Sequence, residues 1–366
     1  MSLEKGKPMS EQKEWAREHY KGVEASLKTP FSADFEKLDE DGTRLNLRQN
    51  IRHGFFSTMC SSTYTTLTEQ KRILEIACQE GAGRMLVGAM VTTLRKHEER
   101  LELLAHAAKV GCSHAFVDYP RALKPQSEDE VVRYLREYTD ATRLPIILYG
   151  FDCPSLRRFH PSGIPPAVYG QLADVPNVVG MKLTQPISIA SAFELCERLG
   201  GRVLFGPANL EQVPILTRHY RVQWLGQWVV ESVQSPEKPY LVEFMHEVNA
   251  GRIDAAMTLF WQMAPAYRYV HRLQEDYLLK GGHPWAHINY YQWCVGGNGG
   301  LPRSSPNAED EAAVLDAAGR REIRDCYAKI SIEVTAGPEE EFVVGKTNYA
   351  KGVRRSDLPR TPFYRQ

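Results

Sequence analysis

Charge of one sign, paired cysteines and long hydrophobic runs are all missing from this 366-residue sequence. Lysine plus arginine and aspartate plus glutamate each number 45, so no net charge points to nucleic acid or to an acidic membrane surface. The seven cysteines, at 60, 78, 112, 153, 196, 294 and 326, are scattered and form no CxxC pair. An odd, dispersed set reads as reduced thiols, and a cytoplasmic location is expected. No run approaches the roughly 20 apolar residues that span a bilayer. The opening stretch MSLEKGKPMSEQKEW is charged and has no apolar core, so a secretory leader is not expected. No GxGxxG follows an early strand, which argues against a doubly wound dinucleotide-binding sheet. No HExxH or other compact ligand spacing calls for a metal, and no organic cofactor is expected. His53, His97, His106, His114, His283 and His287 are dispersed and read as structural or solvated.

What is present is the composition of an ordinary globular chain, 43% hydrophobic and 25% charged. From about residue 23, short apolar runs alternate with amphipathic stretches. Strand-like segments are GVEASLKTPF, FFSTMCSS, RMLVGAMV, HAFVDYP, LPIILYG, NVVGMKL, RVLFGP and RVQWLGQWVV. Among the helical patterns, LTEQKRILEIACQEG puts Ile73, Leu74, Ile76 and Ala77 on one face, with Thr68 as candidate N-cap. SEDEVVRYLREYTDATR opens on acids, as the helix dipole favours. Eight strand–helix units over roughly 230 residues approach the size of a (β/α)8 TIM barrel. The expected organisation is an N-terminal extension over 1–22, the barrel over 23–250, three helices over 251–333 and a polar tail over 334–366.

In a parallel barrel the C-terminal strand ends share one rim, and chemistry is built there. Lys182 lies near the end of the sixth strand in NVVGMKLTQP, and Tyr149 ends the fifth in LPIILYG. Cys60, Ser61 and Ser62 end the second. Read alone, a lysine in an apolar strand is more often one that snorkels to solvent or meets a carboxylate. Tyr149 alone is more often a packed strand residue, and the serines ordinary turn chemistry. On one rim together they form a chemically meaningful set. Burial depresses a lysine pKa, and a neutral amine attacks a carbonyl carbon to form a Schiff base. A tyrosine in reach can move the proton that the condensation requires. The strand-two hydroxyls and amides are placed to hold a carboxylate of the same molecule.

These segments carry a resemblance. NVVGMKLT resembles the NIVGIKE-type strand of the dihydrodipicolinate synthase/N-acetylneuraminate lyase family, and LPIILYG its LPIILYN. TPF (Thr29 to Phe31), TLTEQKRILEIA and KPQSEDEVVRYLREYTDATRLP extend the similarity, which runs roughly from Thr29 to Ile332. The resemblance implies a class I lyase on a TIM barrel, with Lys182 as Schiff-base former and Tyr149 as proton shuttle. It also implies a 2-oxo acid substrate, no cofactor and a homotetramer. The sequence departs from the family at the strand-two turn. There MCSST stands for GTTGE, and Cys60 and Ser61 occupy the threonine positions. GFDCPSLRRF lacks the arginine of VPGRT at its usual spacing, leaving Arg157 and Arg158 as the nearest. The departures argue against a lysine-biosynthesis synthase. The expected activity is carbon–carbon cleavage or formation beside a carbonyl. The alternatives are a dehydratase or hydratase-aldolase on a bulkier substrate, and a non-catalytic protein that binds a small acid.

Overall fold

The computed structural model describes residues 9–61, 64–184, 188–278, 282–304 and 313–366. Its strands are β1 (Gly22–Leu27), β2 (Ser57–Cys60), β3 (Leu86–Met90) and β4 (His114–Val117). They continue with β5 (Ile146–Gly150), β6 (Val178–Leu183), β7 (Leu204–Pro207) and β8 (Trp224–Leu225). Every neighbouring pair is parallel, in the order β7-β6-β5-β4-β3-β2-β1-β8. The two ends of that order meet through the parallel bridge Phe205–Val222 and a bond from Gly226 N–H to the Pro207 carbonyl at 3.3 Å. The sheet thus closes into the expected (β/α)8 barrel. Helix α1 (Glu11–His19) precedes it. Helices α2 (Glu40–Arg52), α3 (Leu67–Gly81), α4 (His97–Val110) and α5 (Glu128–Asp140) follow β1 to β4. Next come α6 (Pro166–Leu172), α7 (Ile189–Leu199), α8 (Val213–Leu216) and α9 (Tyr240–Asn249) after β5 to β8. The chain ends in α10 (Ile253–Asp276), α11 (Trp285–Cys294), α12 (Ala317–Lys329), α13 (Glu339–Val344) and α14 (Lys346–Ala350). Among the described residues, no helix is long and apolar enough to cross a membrane.

Side chains alternate along each strand, so the barrel has two apolar layers. Val23, Ala25, Leu27, Val87, Ala89, Ile146 and Leu148 turn outward into the layer shared with the helices. Met59, Met90, Phe116, Ile147, Val179, Leu204 and Trp224 fill the inside. Helix α1 stops the N-terminal end of that interior. Ala16 and the fully buried Tyr20 join the inner cluster, and the Tyr20 ring meets Trp224 at 5.0 Å and Phe56 at 4.9 Å.

A bulge in β6 decides which residues face the lumen at the opposite end. Ile146 pairs with Val178, but the next rung pairs Ile147 with Gly180, so one extra residue enters β6. Lys182 consequently stands opposite Tyr149 and shares its face. Without the extra residue Lys182 would pair one rung later and point outward, because a one-residue slip exchanges the faces of a strand.

Several local expectations change. Helix α3 is capped by Thr66, not Thr68. The Thr66 hydroxyl accepts from Glu69 N–H at 3.2 Å, while Glu69 Oε2 accepts from Thr66 N–H at 2.8 Å. A capping box needs its glutamate three residues after the cap, and Glu69 meets that condition only for Thr66. The eighth strand holds only Trp224 and Leu225. Helix α2 lies in a stretch without an apolar period. Residues 334–366 carry α13 and α14, with Phe342, Val343, Val344, Phe363 and Tyr364 buried.

Candidate active site

Lys182 is 2% exposed, and its amine faces the lumen among Met59, Phe116 and Tyr149. Nζ lies 3.8 Å from Met59 Sδ, 5.2 Å above the Tyr149 ring and 5.9 Å from the Phe116 ring. The stem passes Gly226, where a Cβ would come within 3.1 Å of Cε and 3.3 Å of Nζ. Among the described residues no carboxylate is within ion-pair distance of this amine. Burial lowers its pKa to about 8; Glu24 opposes that shift and the Lys28 charge adds to it. About a tenth of the amine is then neutral at pH 7, against far less for an ordinary lysine, and a nucleophilic amine needs that neutral form.

Tyr149 is half-buried at the mouth of the lumen, its ring 6.4 Å from Phe116 and 6.0 Å from Phe151. Burial pushes its phenol up to about 12, so it carries its proton at neutral pH. The Thr184 hydroxyl opposes that shift from close by, although its Oγ1 completes no hydrogen bond among the described residues. The structure thus brings Lys182 and Tyr149 together.

The strand-two residues divide. Ser61 Oγ lies 2.6 Å from Ser26 Oγ on β1, a paired hydroxyl cradle at the rim. Cys60 is fully buried on the other face of β2, in the layer between barrel and helices, and burial pushes its thiol well up. It does not face the lumen, so the cradle expected from the sequence does not include it. In a four-residue strand whose Met59 points inward, Cys60 must point outward. Ser62 lies outside the described residues. Arg157 bonds Asp152 at 2.9 Å and Arg158 bonds the Pro125 carbonyl at 3.1 Å, so each is engaged elsewhere.

Sequence reasoning missed two charged residues, Glu24 on β1 and Lys28 just past its end. Lys28 is 8% exposed, donates to the Trp228 carbonyl at 3.5 Å, and has a pKa lowered by burial against the opposing charge of Glu231. Glu231 is itself buried, neither carboxyl oxygen has a hydrogen-bond partner among the described residues, and burial raises its pKa. Deeper in the lumen, Glu24 Oε1 accepts from Tyr20 Oη at 2.5 Å and Ser57 Oγ at 2.9 Å, with His114 Nε2 at 3.2 Å. Its Oε2 is buried without a partner among the described residues. The signal was available. In GVEASLKTPF the outward residues Val23, Ala25 and Leu27 alternate with Glu24, Ser26 and Lys28, a period of two with a polar inner face.

A cavity of about 570 Å³ opens beside Tyr149, between the loops after β3, β4 and β6. Asp118 lines it and is held by Arg100 at 2.9 Å; burial nevertheless raises its pKa to about 6. Among the described residues no three histidine, cysteine, aspartate or glutamate side chains gather at a metal-binding distance.

The sequence model described as "Dihydrodipicolinate synthetase family" matches residues 19–192, the segment that carries β1 to β6 and with them Tyr149 and Lys182. A 4-hydroxy-tetrahydrodipicolinate synthase of Methanospirillum hungatei JF-1 is 27% identical over 258 residues, 68% of this chain and 83% of that protein. Over residues 19–192 the chain is similar to the dihydrodipicolinate synthetase family. Solved structures of that family share the fold. A dihydrodipicolinate synthase from Aquifex aeolicus superposes with a TM-score of 0.66 at 18% identity, covering 86% of this chain and 99% of its own. A prophage protein of the family from E. coli K12, in complex with pyruvate, gives 0.66 at 20% identity and the same coverage.

Proposed function

We propose that the protein is a class I lyase or aldolase that works through a Schiff base between Lys182 and a 2-oxo acid. The observation that carries this reading is the Lys182 amine itself, buried with no carboxylate partner among the described residues and facing Tyr149 across one rung of the sheet. The similarity to a 4-hydroxy-tetrahydrodipicolinate synthase supports the same reading.

In this reading the neutral amine attacks the carbonyl carbon of the substrate. The alkoxide takes a proton to give a carbinolamine, and Tyr149 is the donor in reach. Loss of water leaves a protonated imine, with the tyrosine again exchanging the proton. The cationic nitrogen accepts the electron pair released when the adjacent carbon loses a proton or a carbon–carbon bond breaks. Addition of that pair to an aldehyde is the same step in reverse. Ser61 and Ser26 hold the carboxylate of the 2-oxo acid in our reading, with hydroxyl donors in place of threonines.

Reductive trapping tests the proposal. With pyruvate and cyanoborohydride, the peptide containing Lys182 gains the mass of the reduced adduct, and Lys182→Ala abolishes the gain. Failure of any 2-oxo acid to label the protein, under conditions that label a related lyase, overturns the Schiff-base reading.

A further inference from the structure

The cavity beside Tyr149 is more positively charged than attack on a carbonyl requires. Arg95, Arg100 and Arg121 line it, against Asp118 as its single acidic lining residue among those described. Arg100 is spent on Asp118 and on the Leu94 carbonyl, at 2.9 and 2.7 Å. Arg95 and Arg121 are exposed, and among the described residues neither makes an ion pair. Arg121 nonetheless has a defined place, because its guanidinium lies 4.8 Å from the centre of the Phe151 ring. Such stacking orients the planar donor fork while leaving its edge free for an anion.

A continuous aromatic floor joins that fork to the amine. The Lys182 Nζ is 5.2 Å from the Tyr149 ring centre, the Tyr149 and Phe151 rings are 6.0 Å apart, and Arg121 covers the far ring. Leu94, Pro120 and Ala122 add apolar wall. Two buried polar atoms among the cavity residues, Thr184 Oγ1 and His283 Nδ1, have no hydrogen-bond partner among the described residues. Unpaired buried polar atoms are uncommon in a folded protein, and a ligand is one way to satisfy them.

We infer that the substrate is an elongated 2-oxo acid bearing a second anionic group at its far end, received by Arg121 with Arg95 across an apolar span from Lys182. The inference rests on the Schiff-base reading, since it takes Lys182 as the anchor of the near end. A cavity of about 570 Å³ accommodates far more than a three-carbon acid. Arg121 acts here as a specificity residue that touches the substrate away from the reacting atoms.

The test uses straight-chain 2-oxo acids of increasing length in three forms, ending in a carboxylate, in a phosphonate, or in an uncharged primary amide. Each is trapped on Lys182 by cyanoborohydride, and the concentration giving half-maximal labelling is read. At one or more lengths an anionic end lowers that concentration at least about tenfold relative to the amide, the scale of a charge-assisted hydrogen bond. In Arg121→Gln the advantage falls below about threefold, and in Arg121→Gln/Arg95→Gln it disappears. The ratio of anion to amide is internal to each variant, so altered folding does not mimic the effect. A phosphonate preferred over the carboxylate supports the same subsite and assigns it to a phosphate-bearing substrate. Equal labelling by anion and amide at every length overturns the inference, as does an advantage that survives the double substitution. Labelling by pyruvate alone also overturns it, while leaving the Schiff-base reading intact. No labelling by any compound, pyruvate included, overturns the Schiff-base reading and this inference with it.

Discussion

Two charges of opposite sign, Glu24 on β1 and Lys28 just past its end, act on the Lys182 amine. Lys28 pushes its pKa down and Glu24 holds it up, while burial sets the overall direction. The trapping rate depends on the unprotonated amine, so it rises with pH through an inflection near 8. Lys28→Met removes a cation that disfavours protonation, so the inflection moves to higher pH. Glu24→Gln removes an anion that favours protonation, so it moves to lower pH. Shifts of about half a pH unit are expected for each, measured as trapping rate against pH. Equal shifts in one direction, or none, would show that these charges do not reach the amine. Glutamine keeps an Oε1 to accept from Tyr20 and Ser57, so the second variant preserves most of that hydrogen-bonded cluster. At this scale the sequence displays Lys182 and Tyr149 clearly, because each stands out at the end of an apolar run. Cys60 defeats the same reasoning, since a turn motif says nothing of which face each residue takes. Parity along β2 does, and it separates Cys60 from Met59 and Ser61.

The strands are where the sequence is most legible, and the irregularities within them are where it is least. Seven strands coincide closely with apolar runs, since a parallel sheet buried on both faces needs continuous apolar residues. The β6 bulge leaves no such mark, yet it sets Lys182 opposite Tyr149. Helix α2 is hidden for a different reason. Its buried residues include Thr43, Asn46, Gln49 and Asn50, which pack by hydrogen bonding, so the hydrophobic period has nothing to detect. In β8, Trp224 occupies the lumen across from β7, where glycine stands beside it at position 206. A Cβ on Gly206 would stand 2.1 Å from the Trp224 ring. Gly206→Ala therefore forces a fully buried indole to move, in a region that also contains the Lys182 stem. It should lower stability by about 1–3 kcal/mol, read as a lower urea midpoint with an unchanged slope. A neutral result would mean that the inner layer is looser than its burial implies.

The whole molecule is fastened across its length by asparagines. Asn46 Nδ2 on α2 donates to the Lys28 carbonyl at 2.8 Å, and Asn46 Oδ1 accepts from Asn298 N–H at 2.7 Å. Asn298 in turn accepts from Lys346 N–H at 2.8 Å and from Thr347 N–H at 3.0 Å. The end of β1, helix α2, the glycine-rich loop and the C-terminal helices are thus joined in one chain of bonds. Loop composition alone marks Gly296 to Gly300 as a turn and gives no hint that Asn298 is completely buried. Asn298→Ala leaves the part-buried Thr347 amide without its acceptor, at a cost of about 1 kcal/mol, while the Thr347 hydroxyl keeps its bond to Asp39. A fall in thermal midpoint is expected, with the barrel and the C-terminal helices still melting in one transition. Two separate transitions would show that the chain of bonds does not couple them. The same fastening has a consequence for synthesis. A ribosome releases β1, with Lys28, long before Asn298 and Thr347 emerge, so the strand that tunes the amine waits for the last helices to anchor it. The nucleophile's surroundings are completed only once Thr347 has emerged, and a nascent chain stopped before it carries the lysine without its finished setting.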